Sequence, residues 1–401
     1  MLGHDPVMVQ TRLHFPPSRR AVLGAAVAVA ACGPAGQTFG ARQAQARVAE
    51  FEVQGRALPP VAPTPRTRPP PALRTLTALP VGTCYLPDRD VVYDEMVARQ
   101  FSQVTPEWNF QLPAVMGEDG RYDWTRADQI AAFARRHDQR IHGTSLVWYA
   151  LDKVPVFQRL DGQASAFAHA FRQNILAIAG RYRGVVRSWD VVNEPVAENG
   201  EGLRDSLWSR NLGADDYMVR AFEAAAEADP DAILFVNDYN LELYPRKRAT
   251  FMRLIDRLRR RGCKVGGVGT QTHLHADTPP GQVTAAIKDL ATLGLPIHVS
   301  EFDVRFGPAG RSSLSTEQKL AIQRALADET AAAFLALPKR QQHAFTVWGV
   351  RDRDSNLNRP AFDGDGTDIP LLFDNAGQPK PAFWAVADRF AARDASRDAA
   401  S

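Results

Sequence analysis

The chain has 401 residues, of which 45% are hydrophobic and 23% are charged, an ordinary composition for a globular protein. Its net charge of +3 is unevenly placed: residues 1–75 contain nine arginines, no lysine and three acidic residues, which leaves 39 basic against 42 acidic residues elsewhere. A nearly neutral folded part gives no indication of a nucleic-acid-binding surface. The chain has only three cysteines: no two of them have the spacing of metal ligands, and their number does not suit a disulfide framework.

Residues 1–32 have the pattern of an export signal. Ser18-Arg19-Arg20 precedes an apolar run over 21–31, which resembles a twin-arginine signal. The run is shorter than the about 20 apolar residues of a transmembrane helix. The sequence VAAC at 29–32 also resembles a lipoprotein processing box, so Cys32 is either a lipidated N-terminus or a small residue near an ordinary cleavage site. Both alternatives predict export to the periplasm, the outer membrane or the medium.

The rest of the chain divides into three predicted parts. Residues 33–75 are rich in Ala, Arg and Pro, which cannot form a core, and we expect a disordered, extended linker there. Residues 76–393 are expected to form the folded domain. Residues 394–401 are expected to be a disordered tail.

Short apolar runs alternate with segments of helical periodicity throughout the folded domain. The predicted strands cover 81–85, 101–105, 142–148, 186–193, 233–238, 265–271, 296–303 and 344–350. Eight strands alternating with helices over about 320 residues predict the α/β class and a single (β/α)8 TIM barrel. A doubly wound open sheet is the alternative, but no glycine-rich turn follows the first strand.

Two glutamates close predicted strands in the same manner. Glu194 follows WDVVN in the fourth strand, and Glu301 follows IHVS in the seventh. The strand ends of a barrel meet at one mouth, and two carboxylates across a cleft are what glycoside hydrolysis requires. Singly, each glutamate is more simply a solvated strand end. Other polar or aromatic residues also close strands, and this recurrence favours a site; they are Asn193, Asn237, Asp238, Gln271, His273 and Trp348.

These motifs resemble glycoside hydrolase family 10, the (β/α)8 β-1,4-xylanases, over most of residues 76–390. WDVVNEP resembles the acid/base motif and HVSEFDV the nucleophile motif, which implies Glu194 as acid/base and Glu301 as nucleophile. The resemblance also implies cleavage with retention of anomeric configuration, through a covalent glycosyl-enzyme, with carboxyl groups about 5–5.5 Å apart. The implied supporting residues are Asn193, Gln271, His273 and Asp303.

The positions expected to contact the sugar are Glu107, Trp108, Gln111, Thr144, Trp148, Tyr149, Trp348 and Asn356. Glu107 and Trp148 match the family pattern, but five of the others depart from it. Gln111 stands where the pattern has lysine, Thr144 and Tyr149 where it has histidines, and Trp108 and Asn356 where it has asparagine and tryptophan. Losing one buried hydrogen-bond partner costs about 1–3 kcal/mol, so several changes predict a changed sugar preference.

Three hypotheses for the function therefore stay open. The first is xylan-type cleavage, and the second is the same chemistry on another β-linked glycan, such as a bacterial exopolysaccharide. The third, a non-catalytic carbohydrate-binding envelope protein, is disfavoured because both glutamates and His273 are present. No cofactor or metal is indicated: His273 and His275 have possible ligand spacing, but a hydrogen-bonding role for His273 is the simpler interpretation. We expect a monomer whose partner is a polysaccharide or oligosaccharide.

Overall fold

The computed structural model describes residues 69–151, 153–307 and 313–398. The predicted export signal, Cys32 and most of the predicted linker lie outside these residues. The described strands are β1 (Val81–Tyr85), β2 (Gln103–Pro106), β3 (Arg140–Gly143), β4 (Val147–Trp148), β5 (Val186–Asn193), β6 (Ile233–Asp238), β7 (Gly267–Thr270), β8 (His273–His275), β9 (Ile297–Arg305) and β10 (Gln342–Val347).

Eight of these strands close into a parallel barrel. Apart from β4 and β8, each strand pairs with the next one along the chain, and β10 pairs with both β9 and β1. The short strands β4 and β8 pair with β5 and β9 beyond the main ladder. The closed ring confirms the predicted (β/α)8 TIM barrel.

Helices surround the barrel between successive strands. They are α1 (Val91–Gln100), α2 (Leu112–Val115), α3 (Thr125–Arg136), α4 (Pro155–Arg159), α5 (Ala164–Arg181), α6 (Leu207–Leu212), α7 (Asp216–Ala228), α8 (Pro245–Arg260), α9 (Gln282–Ala291), α10 (Thr316–Leu335) and α11 (Pro381–Asp398). Local chemistry fixes their starts: Asp90 caps α1, Ser315 and Gln318 form a capping box at α10, and Pro245 opens α8. None of the helices in the described ranges is long and apolar enough to cross a membrane.

Three predicted strand ends differ from the structure by two residues or more. The third strand stops at Gly143, and a separate short strand follows at 147–148. The seventh strand runs past its predicted end at 303 to Arg305, because β8 pairs with 303–305 and extends the ladder. The eighth ends at Val347, so Trp348 follows the strand instead of closing it.

The folded part also reaches beyond both predicted boundaries. A short 3-10 helix, Leu73–Thr75, lies inside the predicted linker, and its Leu73 is fully buried against the barrel helices. At the other end, α11 continues to Asp398 and occupies part of the predicted tail. Burial of Leu73, the hydrogen bond from its N–H to Gln100 and those from Arg74 to the carbonyls of Ala98 and His137 hold this segment, which composition alone assigns to a linker.

The layer between the barrel strands and the surrounding segments is tightly packed. Trp189 of β5 is completely buried and packs against Phe110 at a ring separation of 5.8 Å. A side chain at Gly143 would bring its Cβ to 2.3 Å from the Trp189 ring, so only glycine fits at that point of β3. A rigid interior of this kind fixes the strand ends from which the polar residues project.

Candidate active site

Glu194 stands where β5 ends, and its backbone adopts the left-handed conformation, with φ of 55°. This conformation is uncommon for a residue with a side chain and persists only where its surroundings impose it. The Glu194 N–H donates to the carbonyl of Asn237 on neighbouring β6 at 2.8 Å. Pro195 follows and has no N–H with which to continue the ladder. The strand therefore ends in an imposed turn that holds Glu194 with only 8% of its surface exposed.

Both oxygens of the Glu194 carboxyl group accept hydrogen bonds. The Trp148 indole N–H donates to Oε2 at 2.8 Å, and the Gln271 amide donates to Oε1 at 3.0 Å. The Asn193 amide lies 3.4 Å from Oε1. Trp148 was predicted to bind sugar, and the structure gives it a second contact, with the predicted acid/base. Donors on opposite sides fix the orientation of this carboxyl group.

Glu301 lies within β9 and is 7% exposed. The Asn237 amide donates to its Oε1 at 2.9 Å, and Nε2 of His273 lies 3.2 Å from its Oε2. On the other side of the same ring, Nδ1 of His273 lies 2.9 Å from Asp303 Oδ1. The structure therefore brings together Glu301 and two of the predicted supporting residues, His273 and Asp303.

Asn237 connects the two carboxyl groups. Its amide nitrogen donates to Asn193 Oδ1 at 3.0 Å as well as to Glu301, while the Ser300 hydroxyl donates to its amide oxygen at 2.8 Å. Through Asn193, the chain of contacts continues to Glu194. Sequence reasoning noted Asn237 only as a strand end, because its partners come from two other strands.

The electrostatics give Glu194 the properties of a proton donor. Burial raises the pKa of Glu194 to about 7, and the charge of Asp238 acts in the same direction. The hydrogen bonds from Gln271 and Trp148 and the charge of Arg204 partly offset this rise in pKa. A carboxyl group with a pKa near 7 populates both its acid and its carboxylate form at neutral pH, as general acid–base catalysis requires.

His273 favours the charged form of the second carboxyl group. Burial raises the pKa of Glu301, and the hydrogen bond and charge of His273 oppose that rise. Burial also disfavours the charged form of His273, but the charge and hydrogen bond of Asp303, together with Glu301, outweigh it and hold the His273 pKa well above its usual value. Both ring nitrogens of the imidazolium can donate to carboxylates. The two carboxyl groups thus lie in different environments: Glu301 faces a cationic ring, whereas the side-chain donors to Glu194 are neutral.

Arg204 supports the segment that follows Glu194. Its Nε donates to the Glu194 carbonyl at 3.1 Å, and its Nη2 donates to Glu198 at 3.1 Å and to the Tyr239 hydroxyl at 2.5 Å. Its guanidinium carbon lies 4.5 Å from the centre of the Tyr149 ring, a stacking that replaces the ring donor expected there. Sequence reasoning missed Arg204 because it lies in an irregular segment. The sequence relates Arg204 to the site only by its position, ten residues after Glu194.

The aromatic residues predicted to bind sugar lie beside the two carboxyl groups. Trp148 contacts Glu194 directly, and the Trp208 indole donates to the Trp148 carbonyl at 2.9 Å, which fixes the backbone there. The Trp348 ring meets His273 edge-on, with ring centres 6.4 Å apart. Trp348 is only 8% exposed, so it forms a wall of the site and not a free platform.

Glu107, predicted to contact sugar, carries an unexpected partner. Arg359 donates to both of its carboxylate oxygens, at 2.8 and 3.1 Å. Arg359 follows the short helical turn Asn356–Asn358, which brings the predicted residue Asn356 near this pair along the chain. Sequence reasoning missed Arg359, since nothing local relates it to a residue 252 positions earlier.

The remaining recognition residues divide by exposure. Trp108 is 40% exposed, whereas Gln111 and Thr144 are buried and Asn356 is half-buried. Within the described part of the chain, neither the Gln111 nor the Thr144 side chain hydrogen-bonds to Glu194 or Glu301. The structure therefore leaves their predicted contact with sugar as a prediction, and Trp108 is the accessible member of this set.

Comparisons with known proteins agree with this geometry. A family model described as Glycosyl hydrolase family 10 matches residues 77–389. The chain belongs to this family. The endo-1,4-beta-xylanase of Geobacillus stearothermophilus is 31% identical over 328 residues, covering 79% of this chain and 98% of that protein. The endo-1,4-beta-xylanase A of Cellvibrio japonicus (strain Ueda107) is 31% identical over 326 residues; the match covers 74% of this chain but only 52% of that longer protein.

Solved structures of the family share the fold. The crystal structure of native xylanase 10B from Thermotoga maritima superposes with a TM-score of 0.73 at 30% sequence identity, covering 81% of this chain and all of that one. Family 10 membership makes the chain a glycoside hydrolase. The matched region lies within the predicted folded domain and contains every predicted site residue.

Proposed function

We propose that this family 10 hydrolase cleaves β-1,4-linked xylan-type polysaccharide with retention of anomeric configuration. The observation that carries the proposal is the pair of buried carboxyl groups held by different partners, Glu194 by neutral indole and amide donors and Glu301 by Asn237 and His273. Glu194, with its pKa raised to about 7, acts as acid/base, and Glu301, beside the His273 imidazolium, acts as nucleophile. The xylanase names of the relatives support the choice of substrate.

In the first step, a carboxylate oxygen of Glu301 attacks the anomeric carbon of the sugar. The bond from that carbon to the leaving oxygen breaks, and Glu194 transfers its proton to the leaving oxygen. Glu301 is thereby esterified, and Glu194 becomes a carboxylate. Because esterified Glu301 no longer carries a charge, His273 is then paired with Asp303 alone, and this contact keeps the ring in place through the step.

In the second step, the Glu194 carboxylate accepts a proton from water, and the water oxygen attacks the anomeric carbon. The ester bond to Glu301 breaks, which regenerates both carboxyl groups in their starting protonation states. Asn193 contributes by hydrogen-bonding a sugar hydroxyl; its amide oxygen already accepts from Asn237, which sets the direction of the amide.

Turnover of an activated aryl β-xyloside by Glu301→Ala tests the catalytic assignment. The variant should lose turnover, whereas the control Glu201→Ala, an exposed glutamate paired with Arg246, should keep wild-type rates. If Glu301→Ala retained wild-type turnover, the assignment of the nucleophile would be wrong. If the wild-type chain turned over no glycoside at all, the alternative of a non-catalytic binding protein would be favoured.

A second candidate substrate, another β-linked glycan such as a bacterial exopolysaccharide, rests on the Glu107–Arg359 pair. The two residues of this bidentate ion pair lie four and three positions along the chain from 111 and 356, where the family pattern has lysine and tryptophan. Initial rates on a panel of β-linked polysaccharides decide between the two. A preference for xylan over every other glycan supports the first proposal, and a better glycan in the panel replaces it.

We also propose that the chain is exported by the twin-arginine route and acts as a monomer. The Ser18-Arg19-Arg20 pattern and the apolar run after it support export. Arg19→Lys combined with Arg20→Lys should leave the enzyme inside the cell. Mass spectrometry of the mature N-terminus, with Cys32→Ala as comparison, separates a lipidated Cys32 from ordinary cleavage. Light scattering of the purified protein tests the monomer.

A further inference from the structure

Three histidines meet inside the barrel, toward the amino ends of the strands and away from the catalytic mouth. His142 lies in β3, and His298 and His343 are each the second residue of their strands, β9 and β10. The ring centre of His298 lies 4.5 Å from that of His142 and 5.4 Å from that of His343, and the His142 and His343 centres are 6.1 Å apart. One ring nitrogen from each lies within 4.8 Å of the others. None of the three takes part in the mechanism proposed above.

The hydrogen bonds around the rings leave nitrogens available to a ligand. Nε2 of His298 is engaged by the Thr346 hydroxyl at 2.8 Å, while its Nδ1 is completely buried and has no hydrogen-bond partner. Nδ1 of His142 and Nε2 of His343 both lie near the Ser188 hydroxyl, at 2.7 and 3.2 Å. A buried ring nitrogen without a partner costs free energy unless something binds it.

The carboxylate of Asp190 lies beside the ring of His142. Nε2 of His142 lies 3.0 Å from Asp190 Oδ2, and both side chains are buried. In zinc sites, the ring nitrogen that does not bind the metal is commonly held by a carboxylate, which fixes the tautomer and presents the other nitrogen to the ion. The other ring nitrogen of His142, Nδ1, lies 2.7 Å from the Ser188 hydroxyl, which is also near Nε2 of His343.

The chemistry of this donor set selects the ligand. Three neutral imidazoles and a nearby carboxylate suit a divalent transition metal such as Zn²⁺, whereas Mg²⁺ and Ca²⁺ prefer oxygen donors. Tetrahedral zinc with Zn–N distances of about 2.1 Å needs ring nitrogens about 3.4 Å apart, so an ion would draw the rings about 1 Å closer together. The Ser188 hydroxyl lies between the rings of His142 and His343, so the ion or its fourth ligand would displace it.

One of the three histidines is accessible from outside. A cavity of about 1250 Å³ opens at the amino ends of the strands, and His343 is part of its lining together with Gln103 and Ile141. His343 is half-buried, whereas His142 and His298 lie deeper and are fully buried. An ion can therefore reach His343 from the amino ends of the strands without passing the catalytic carboxyl groups.

We propose that His142, His298 and His343 form a zinc-binding site at the amino end of the barrel, with Asp190 orienting His142. The site is separate from the catalytic centre and goes beyond the proposed function. Its effect is on stability, because an ion that binds the folded chain and bridges β3, β9 and β10 opposes unfolding by mass action.

Zinc content and thermal unfolding of the full chain, purified without a histidine tag, test this proposal. After loading with zinc and dialysis, the wild type should retain about one zinc ion per chain and unfold at a higher temperature than after chelator treatment. His343→Gln should lose both properties. The control His169→Gln, an exposed histidine of α5, should keep both. In wild-type protein loaded with Co²⁺, tetrahedral visible absorption bands are expected, and they should be absent in His343→Gln.

Three outcomes would overturn the zinc site: no zinc retained by the wild type, equal retention by His343→Gln and wild type, or equal loss in His169→Gln. His298→Gln extends the test to a buried ring. If that variant does not fold, His343→Gln decides alone, since its half-buried side chain tolerates the change more readily. Activity on a glycoside is not a readout here, so failure of the zinc site and failure of the proposed hydrolase activity are distinguishable.

Discussion

The catalytic carboxyl groups and the sugar-recognition residues lie at the same mouth of the barrel but differ in how completely they are held. Each oxygen of Glu194 and of Glu301 accepts a hydrogen bond from a side chain on another strand or on the loop after it. Among the recognition residues, Trp108 is exposed, and Glu107 is engaged by Arg359. Bond cleavage therefore depends on a network that is complete without substrate, whereas sugar choice depends on residues still able to change partners.

Substitutions in these two groups of residues should therefore change different kinetic parameters. A change in the network should lower kcat and shift its pH dependence, because it alters the protonation or position of a reacting carboxyl group. A change among the recognition residues should act mainly on KM and on the ranking of substrates. The predictions below test that separation, beginning with the largest effect.

Glu194→Ala removes the proton donor. We expect kcat on polysaccharide, whose leaving oxygen needs a proton, to fall by roughly 10³-fold, within the range of general acid–base catalysis. The wild-type rate should fall as pH rises through about 7, the raised pKa of Glu194, because the acid is then ionised. The variant should lack this alkaline limb. A variant that kept the limb would show that another group donates the proton.

His273→Asn removes the imidazolium beside Glu301. Because His273 opposes the burial-induced rise in the Glu301 pKa, its loss should raise that pKa. Glu301 must be ionised to attack, so the acidic limb of the pH–rate profile should move to higher pH, and kcat should fall by about 10²-fold. His275→Asn, two residues along β8, is the matched control. An equal shift in both variants would contradict the specific role of His273.

Arg204→Met removes a cation that lowers the pKa of Glu194 and a donor to its backbone. We expect the alkaline limb to move to higher pH and kcat to fall by about 10-fold, with a smaller change in KM. Arg210→Met, an exposed arginine of α6, should leave the profile unchanged. A fall in kcat without a shift of the limb would mean that Arg204 acts only through the fold.

Trp108→Ala removes the exposed aromatic face and should have the smallest effect. We expect KM for long oligosaccharides to rise by about 5-fold, since stacking on an aromatic ring contributes about 1 kcal/mol, while kcat on a small aryl glycoside stays constant. Trp384→Ala, which changes a tryptophan of α11, serves as control for general loss of stability. Equal losses on small and long substrates would remove Trp108 from the recognition residues.

Much of the fold was predictable because its signals are local. Apolar runs and helical periodicity indicated all eight barrel strands, and the meeting of strand ends in a barrel indicated that Glu194 and Glu301 share a mouth. The strand ends were less predictable. The seventh strand continues past Glu301 because β8 pairs with it, and no local pattern signals a pairing between segments separated by α9.

The contacts that sequence reasoning missed are non-local. Arg204 donates to a backbone carbonyl, which any residue type provides, and Arg359 pairs with a glutamate 252 residues away. His298 is buried in the core, and the convergence of His142 and His343 on it depends on closure of the barrel. The type of a residue indicates that it can donate a hydrogen bond or bind a metal. Which residue it contacts is determined by the closure of the barrel.

The most direct measurement of the central claim is identification of the covalent intermediate. A xylobioside with a 2-fluoro substituent and an activated leaving group should form the glycosyl-enzyme faster than the enzyme hydrolyses it. Peptide mass spectrometry should then find the sugar on Glu301, and NMR of turnover on an unmodified substrate should find the β-anomer first. A sugar attached to Glu194, or an initial α-anomer without any labelled peptide, would contradict double displacement through Glu301.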